Sequence, residues 1–202
     1  MFKRIYTSQR ADLVSGYNET RDALDQKWSD FLLQTGGLLF PMPNNPEAVE
    51  KILENSPPDG ILLSGGNSPV AYGGASPERD LIDELLLNFA IEHEIPLIGV
   101  CRGLQSIILH FEGSLKPIEN HVKVDHPVNG KINRTVNSYH TLAAESISSE
   151  LLVLAACCDG AIESICHKAL PILGIMWHPE RTDPYSLEDI DLFKNFWYKG
   201  RI

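Results

Sequence analysis

Cys101 follows directly on the apolar run Ile95–Val100, and from Arg102 to Phe111 apolar residues recur at helical spacing. A cysteine at a sharp strand-to-helix turn is exposed at the carboxyl edge of a sheet, with its sulfur at a helix N-terminus. The unpaired N–H groups and the dipole of that helix favour an anionic sulfur, the nucleophilic form. Gly99 and Gly103 leave room for the tight turn. The backbone N–H of Arg102 is then placed to donate to a tetrahedral oxyanion. Gly66, in the loop Ser64-Gly-Gly-Asn67 after the apolar run Gly60–Leu63, is the candidate second donor. The chemistry indicated is thiolate attack on an acyl carbon.

Such a nucleophile needs a group that takes up a proton and returns it to the leaving atom. Of seven histidines, His178 stands out because it follows the apolar run Ile172–Trp177 as Cys101 follows its own strand. If the two strands are parallel neighbours, both side chains emerge at one sheet edge. Glu180 lies two residues on, close enough to hold the imidazole in the required tautomer, and Pro179 stiffens the turn. His93 and His110 lie in helical stretches and are expected at the surface or in packing. His121 and His126 lie in an irregular middle section that assigns them no role. His167 has no carboxylate near it in sequence. Cys157, Cys158 and Cys166 are expected to behave as small buried hydrophobes, the first two pointing to opposite faces of a strand. No cysteine pattern suggests a disulfide framework or a metal pair.

The elements that must position these groups are legible in outline. Lys3–Thr7, Gly37–Phe40, Gly60–Leu63, Ile95–Val100 and Ile172–Trp177 are expected strands. Leu24, Trp28, Phe31 and Leu32 mark a first helix, Asn45-Pro46-Glu47 starts a second and Ser76-Pro77-Glu78 a third. Leu187–Trp197 is expected as a terminal helix. Strands separated by helices of this length imply right-handed crossovers and a parallel sheet covered on both faces. After Gly113 shorter extended pieces take over, at Val122–Val128, Lys131–Ser138, Leu151–Cys158 and Ala161–His167, with Asp159-Gly160 as a hairpin turn.

The whole is expected to be one domain spanning residues 1–202. With 17 basic against 27 acidic residues the net charge is −10, which argues against a protein that tracks nucleic acid. Neither a signal-peptide pattern nor an apolar run of membrane-spanning length is present, so the expectation is a soluble, cytosolic protein.

Three segments, in order, resemble the class I glutamine amidotransferase superfamily: Leu63-Ser-Gly-Gly-Asn67, Gly99-Val-Cys-Arg-Gly-Leu-Gln105 and Gly174-Ile-Met-Trp-His-Pro-Glu180. The resemblance implies a flavodoxin-like three-layer αβα sandwich, with a mainly parallel central sheet and a small antiparallel extension. It also implies a catalytic triad of Cys101, His178 and Glu180, a γ-glutamyl thioester intermediate, and no metal or organic cofactor. Gln105 resembles the residue that helps hold the glutamyl group, and Val136-Asn137-Ser138-Tyr139-His140 the loop that closes over its amino and carboxylate groups.

Cys-Arg-Gly together with Val-Asn-Ser-Tyr-His is similar to the free-standing γ-glutamyl hydrolase branch. The opening Thr7-Ser-Gln-Arg10 and the stretch Tyr17–Gln26 resemble compact hydrolases of γ-glutamyl-CDP-amidate used in capsule biosynthesis. The partner implied is therefore a small γ-glutamyl substrate, nucleotide-linked in that reading. Alternatives are a γ-glutamyl-γ-aminobutyrate-type hydrolase and a glutaminase subunit that delivers ammonia to a separate synthetase; a homodimer is left open. Arg10 and Arg21 either contact a leaving-group phosphate or stand as solvated surface charges.

Overall fold

The computed structural model describes all 202 residues. In chain order the elements are β1 (Lys3–Thr7), β2 (Arg10–Val14), β3 (Glu19–Ala23), α1 (Lys27–Gln34), β4 (Gly37–Pro41), α2 (Pro46–Asn55), β5 (Gly60–Leu63), α3 (Pro77–Glu92), β6 (Leu97–Val100) and α4 (Arg102–His110). They continue as β7 (Ser114–Pro117), β8 (Val122–Gly130), β9 (Arg134–Tyr139), β10 (Leu142–Ser146), β11 (Leu151–Cys157), β12 (Ile162–His167), β13 (Ile172–Ile175) and α5 (Leu187–Lys199).

One nine-stranded sheet runs in the order β4-β1-β5-β6-β13-β12-β11-β8-β9. The first five strands pair in parallel. The last four continue the sheet antiparallel, an extension nearly as broad as the parallel part. The strands β5, β6 and β13 are buried along their whole length, as expected for parallel strands covered on both faces. Helices α2, α3 and α4 pack in sequence on one face. On the other, α1 and α5 meet where Phe31 packs edge-on against Phe193, ring centroids 5.0 Å apart. A continuous apolar core runs from Ile5 to Trp197, giving the three-layer αβα sandwich expected.

Local signals account for the helix starts. Asn45 caps α2 by accepting from Ala48 N–H at 3.0 Å, with Pro46 in the first helical position, which satisfies one of the donors that every helix N-terminus leaves unpaired. Two features are new. Arg10–Ala23 forms a polar hairpin, β2–β3, separate from the main sheet, whose mostly exposed residues lack the apolar alternation that marks a strand. The pair β7–β10 forms a second small ribbon. The first helix begins at Lys27, after Leu24, and Cys158 is exposed rather than buried.

Candidate active site

The turn between β6 and α4 is strained at one residue. Cys101 adopts φ 53° and ψ −100°, a region L-residues avoid because Cβ crowds the backbone, at a cost of about 1–3 kcal/mol. The surroundings hold it there. Cys101 N–H donates to the Ile175 carbonyl at 2.8 Å, and the Cys101 carbonyl accepts from Gln105 N–H at 3.1 Å. A Cβ on Gly99 would lie 2.5 Å from the backbone of Gly103, and one on Gly103 only 2.2 Å from the Leu63 carbonyl oxygen. These two glycines let α4 press against the strand ends, and Cys101 is buried there rather than exposed as expected.

The strand carrying His178 is the immediate neighbour of the one carrying Cys101. β13 and β6 are parallel, with Ile175 opposite Val100, so both chains leave the sheet side by side. His178 Nδ1–H donates to Glu180 Oε1 at 2.7 Å, both residues almost wholly buried. That bond leaves Nε2 free, and a Cβ on Gly65 would stand 3.5 Å from Nε2 and 3.6 Å from Cys101 Cβ, so the imidazole and the cysteine side chain meet over that glycine. Burial pulls the His178 pKa down, but the hydrogen bonds with Cys101 and Glu180 and their charges outweigh it and lift the value to about 9. The imidazole therefore carries its proton through neutral pH.

The glycine loop after β5 closes the third side. A Cβ on Gly65 would stand 2.6 Å from His178 Cε1 and 3.6 Å from Cys101 Cβ, so only a glycine lets the backbone approach these two side chains. Gly66 has φ +93° and faces the Arg10 side chain. Asn67 clips the loop to β2, its side chain accepting from Ala11 N–H at 2.9 Å and donating to the Ala11 carbonyl at 3.1 Å. Beneath the loop, buried Arg79 donates to the Ser64 carbonyl at 2.7 Å and to Asp83 at 3.1 Å. Arg102 turns away from the cleft and pairs with Asp83 and Asp80. Burial, with Arg79 close by, pulls the Arg102 pKa down to about 9, which leaves it charged at neutral pH. Asp83 thus ties the loop bearing Gly66 to the helix bearing the Arg102 N–H.

The remaining candidates separate by strand alternation. Asn137 and Tyr139 turn towards His178: Asn137 bonds its backbone, and Tyr139 stands edge-on to its ring at 5.7 Å. Ser138 and His140 turn inward, Ser138 donating to the His121 carbonyl at 2.7 Å and His140 joining a buried group around Glu163. Gln105 is also buried and donates to the Leu142 carbonyl at 3.2 Å.

A cleft of about 300 Å³ opens beside His178 and Glu180, lined also by Arg10, Asp12, Asp25, Trp28, Gly65, Gly66 and Arg181 among others. Arg21 is not in that lining. It pairs with Glu19 at 2.6 Å on the exposed hairpin and lies over Tyr17. Arg181 is one of the lining residues that sequence reasoning missed; it sits over Tyr139, 4.4 Å from the ring centroid. Its place next to Glu180 was the available signal. A roomier hollow of about 680 Å³ lies at the other edge of the parallel strands, beside Asp59, Pro96 and Pro171, and contains none of these groups.

His93 stacks on Phe89 and His110 meets Glu84, the packing roles expected of them. His167, for which no carboxylate was foreseen, lies 3.6 Å from Glu150.

The glutamine amidotransferase class-I family model matches residues 35–199. The γ-glutamyl-CDP-amidate hydrolase of Campylobacter jejuni is 31% identical over 194 residues, covering 95% of each chain. The γ-glutamyl-γ-aminobutyrate hydrolase of Escherichia coli O157:H7 is 31% identical, covering 86% of this chain and 84% of its own. A glutamine amidotransferase structure from Thermotoga maritima shares the fold at 14% identity, with a TM-score of 0.68 over 98% of this chain and 85% of that one. No helix is long and apolar enough to cross a membrane.

Proposed function

The chain belongs to the glutamine amidotransferase class-I family, and we propose that within it Cys101 hydrolyses γ-glutamyl amides through a thioester. The observation that carries this reading is the strained Cys101 elbow beside an imidazole that Glu180 orients and that Cys101 and Glu180 together keep protonated. In the first half-reaction the Cys101 thiolate adds to the γ-carbonyl carbon, and the N–H groups of Gly66 and Arg102 receive the oxyanion. As the C–N bond breaks, His178 gives its proton to the departing nitrogen and the acyl group stays on sulfur. A water molecule then attacks the thioester, His178 takes its proton, and glutamate leaves with the thiolate restored. Nothing in these steps calls on a cofactor.

For the leaving group, the reading favoured is γ-glutamyl-CDP-amidate, giving glutamate and cytidine diphosphoramidate. It is supported by the coverage of the Campylobacter jejuni relative and by two guanidinium groups, Arg10 and Arg181, on the cleft. Guanidinium suits a phosphate through paired N–H donors. The γ-aminobutyrate conjugate is the second reading, on similarity to the Escherichia coli hydrolase.

Comparing kcat/KM for γ-glutamyl-CDP-amidate, γ-glutamyl-γ-aminobutyrate and glutamine tests both levels. A preference above tenfold for the nucleotide conjugate is expected, with Arg181→Ala and Arg10→Ala raising KM for that substrate more than for the others. A tenfold preference for the γ-aminobutyrate conjugate would overturn the substrate assignment. Absence of turnover on all three would overturn the hydrolase reading.

A further inference from the structure

Behind the wall formed by β9 lies a second cluster of functional groups that the reaction does not use. His121, His140 and Glu163 are all buried, Glu163 completely, and their donor atoms converge. His121 Nδ1 is 3.2 Å from His140 Nε2, and Glu163 Oε1 is 3.5 and 3.3 Å from those two nitrogens. His126 Nε2 lies 3.5 Å from the same oxygen. Neither Glu163 oxygen nor His126 Nε2 has a hydrogen-bond partner.

Proton accounting makes this arrangement unfavourable as it stands. His121 Nε2 is 2.8 Å from the Asp159 carboxylate, an acceptor only, so its N–H lies there and Nδ1 presents a lone pair. His140 Nδ1 is 3.1 Å from the Leu142 carbonyl, so its N–H lies there and Nε2 presents a lone pair. Two neutral imidazoles would thus aim lone pairs at each other and at a buried carboxylate. A positive charge is required at the centre.

The distances discriminate between a proton and a metal ion. An imidazolium donating to a carboxylate closes to about 2.7–2.9 Å, whereas all three contacts to Glu163 are 3.3–3.5 Å. Donors 2.0–2.1 Å from a tetrahedral zinc stand about 3.3–3.4 Å apart, which matches. The outer contacts match too, since a metal-bound histidine commonly donates its other N–H to a carboxylate or carbonyl. We propose that His121, His140 and Glu163 form a buried structural site for a divalent transition-metal ion, zinc by its donor set. It would tie the open end of the β8–β9 hairpin to β12 and so stiffen the strand that carries Asn137 and Tyr139.

The test uses the full chain with Cys101→Ala, so that the catalytic sulfur cannot bind metal and no activity is needed. Protein stripped with a chelator and dialysed against zinc is expected to retain one ion per chain and to gain thermal stability. Its cobalt form is expected to show tetrahedral d–d absorption without a thiolate-to-cobalt band. Glu163→Gln should weaken binding more than tenfold, and Asp159→Asn, at a half-exposed partner, by roughly 10- to 100-fold. Retention of no zinc would overturn the proposal, leaving a proton at the centre. So would affinity unchanged in both variants. A thiolate-to-cobalt band would overturn it in favour of the neighbouring set His121, His126 and Cys157. If Glu163→Gln fails to fold by circular dichroism, the Asp159→Asn affinity decides.

Discussion

Asn137 holds the backbone of His178 by two hydrogen bonds: its side-chain amide donates to the His178 carbonyl at 2.8 Å, and its carbonyl oxygen accepts from His178 N–H, also at 2.8 Å. The clamp joins β9, at the far edge of the sheet, to the chain that leaves β13. It fixes the position of the imidazole where the Glu180 bond fixes only its orientation.

Asn137→Ala therefore removes two bonds at about 1 kcal/mol each. Expressed as misplacement of the acid, about 2 kcal/mol corresponds to a roughly 30-fold lower kcat. Steady-state kinetics are expected to show the loss mainly in kcat. A change confined to KM would instead identify Asn137 as a substrate contact.

The proton on His178 links pH to stability. Its folded pKa of about 9 lies above the ordinary value of 6.5, so protonation favours the folded state. The contribution, on the order of 3 kcal/mol, is fully present below pH 6.5 and is lost as the pH rises to 9. Urea midpoints are expected to fall across that window in the native enzyme. In Cys101→Ala the fall should be smaller, because one of the groups that raise the pKa is gone. kcat/KM should decline above pH 9 as the acid deprotonates.

Backbone strain at Cys101 predicts a separation of stability from activity. With φ at 53°, glycine fits where alanine does not. Cys101→Gly is expected to be about 1 kcal/mol more stable than Cys101→Ala by chemical denaturation, with both inactive. Equal stabilities would mean that the elbow relaxes once the sulfur is removed.

Asp83 is the shared counter-charge of two buried arginines, Arg79 and Arg102. Asp83→Asn leaves both guanidinium groups short of charge, at a cost of about 3–5 kcal/mol. Because the same pairs tie Ser64 to α4, kcat should also fall in whatever fraction remains folded. Calorimetry and kinetics on one preparation check both effects.

The parallel half of the sheet was readable from runs such as Gly60–Leu63 and Ile172–Trp177, because a strand covered on both faces is apolar at every position. Cys101, Gly66 and His178-x-Glu180 were readable because each sits at the end of such a run. The β2–β3 hairpin was not, since Arg10–Val14 and Glu19–Ala23 expose polar residues and pair only with each other.

What the linear chain indicated by itself was therefore a cysteine, a glycine loop and a His-x-Glu pair, each at the end of an apolar strand. Tertiary structure decided which strands are neighbours: nothing local to Ile175 states that it pairs with Val100. It also decided which way each side chain faces. Asn137, Ser138, Tyr139 and His140 are contiguous, yet alternation sends Asn137 and Tyr139 to His178, Ser138 to the His121 carbonyl and His140 to the buried carboxylate of Glu163. That carboxylate lies over twenty residues further along the chain. Convergence of this kind rests on long-range pairing between β8, β9, β11 and β12, and spacing along the chain carries no trace of it.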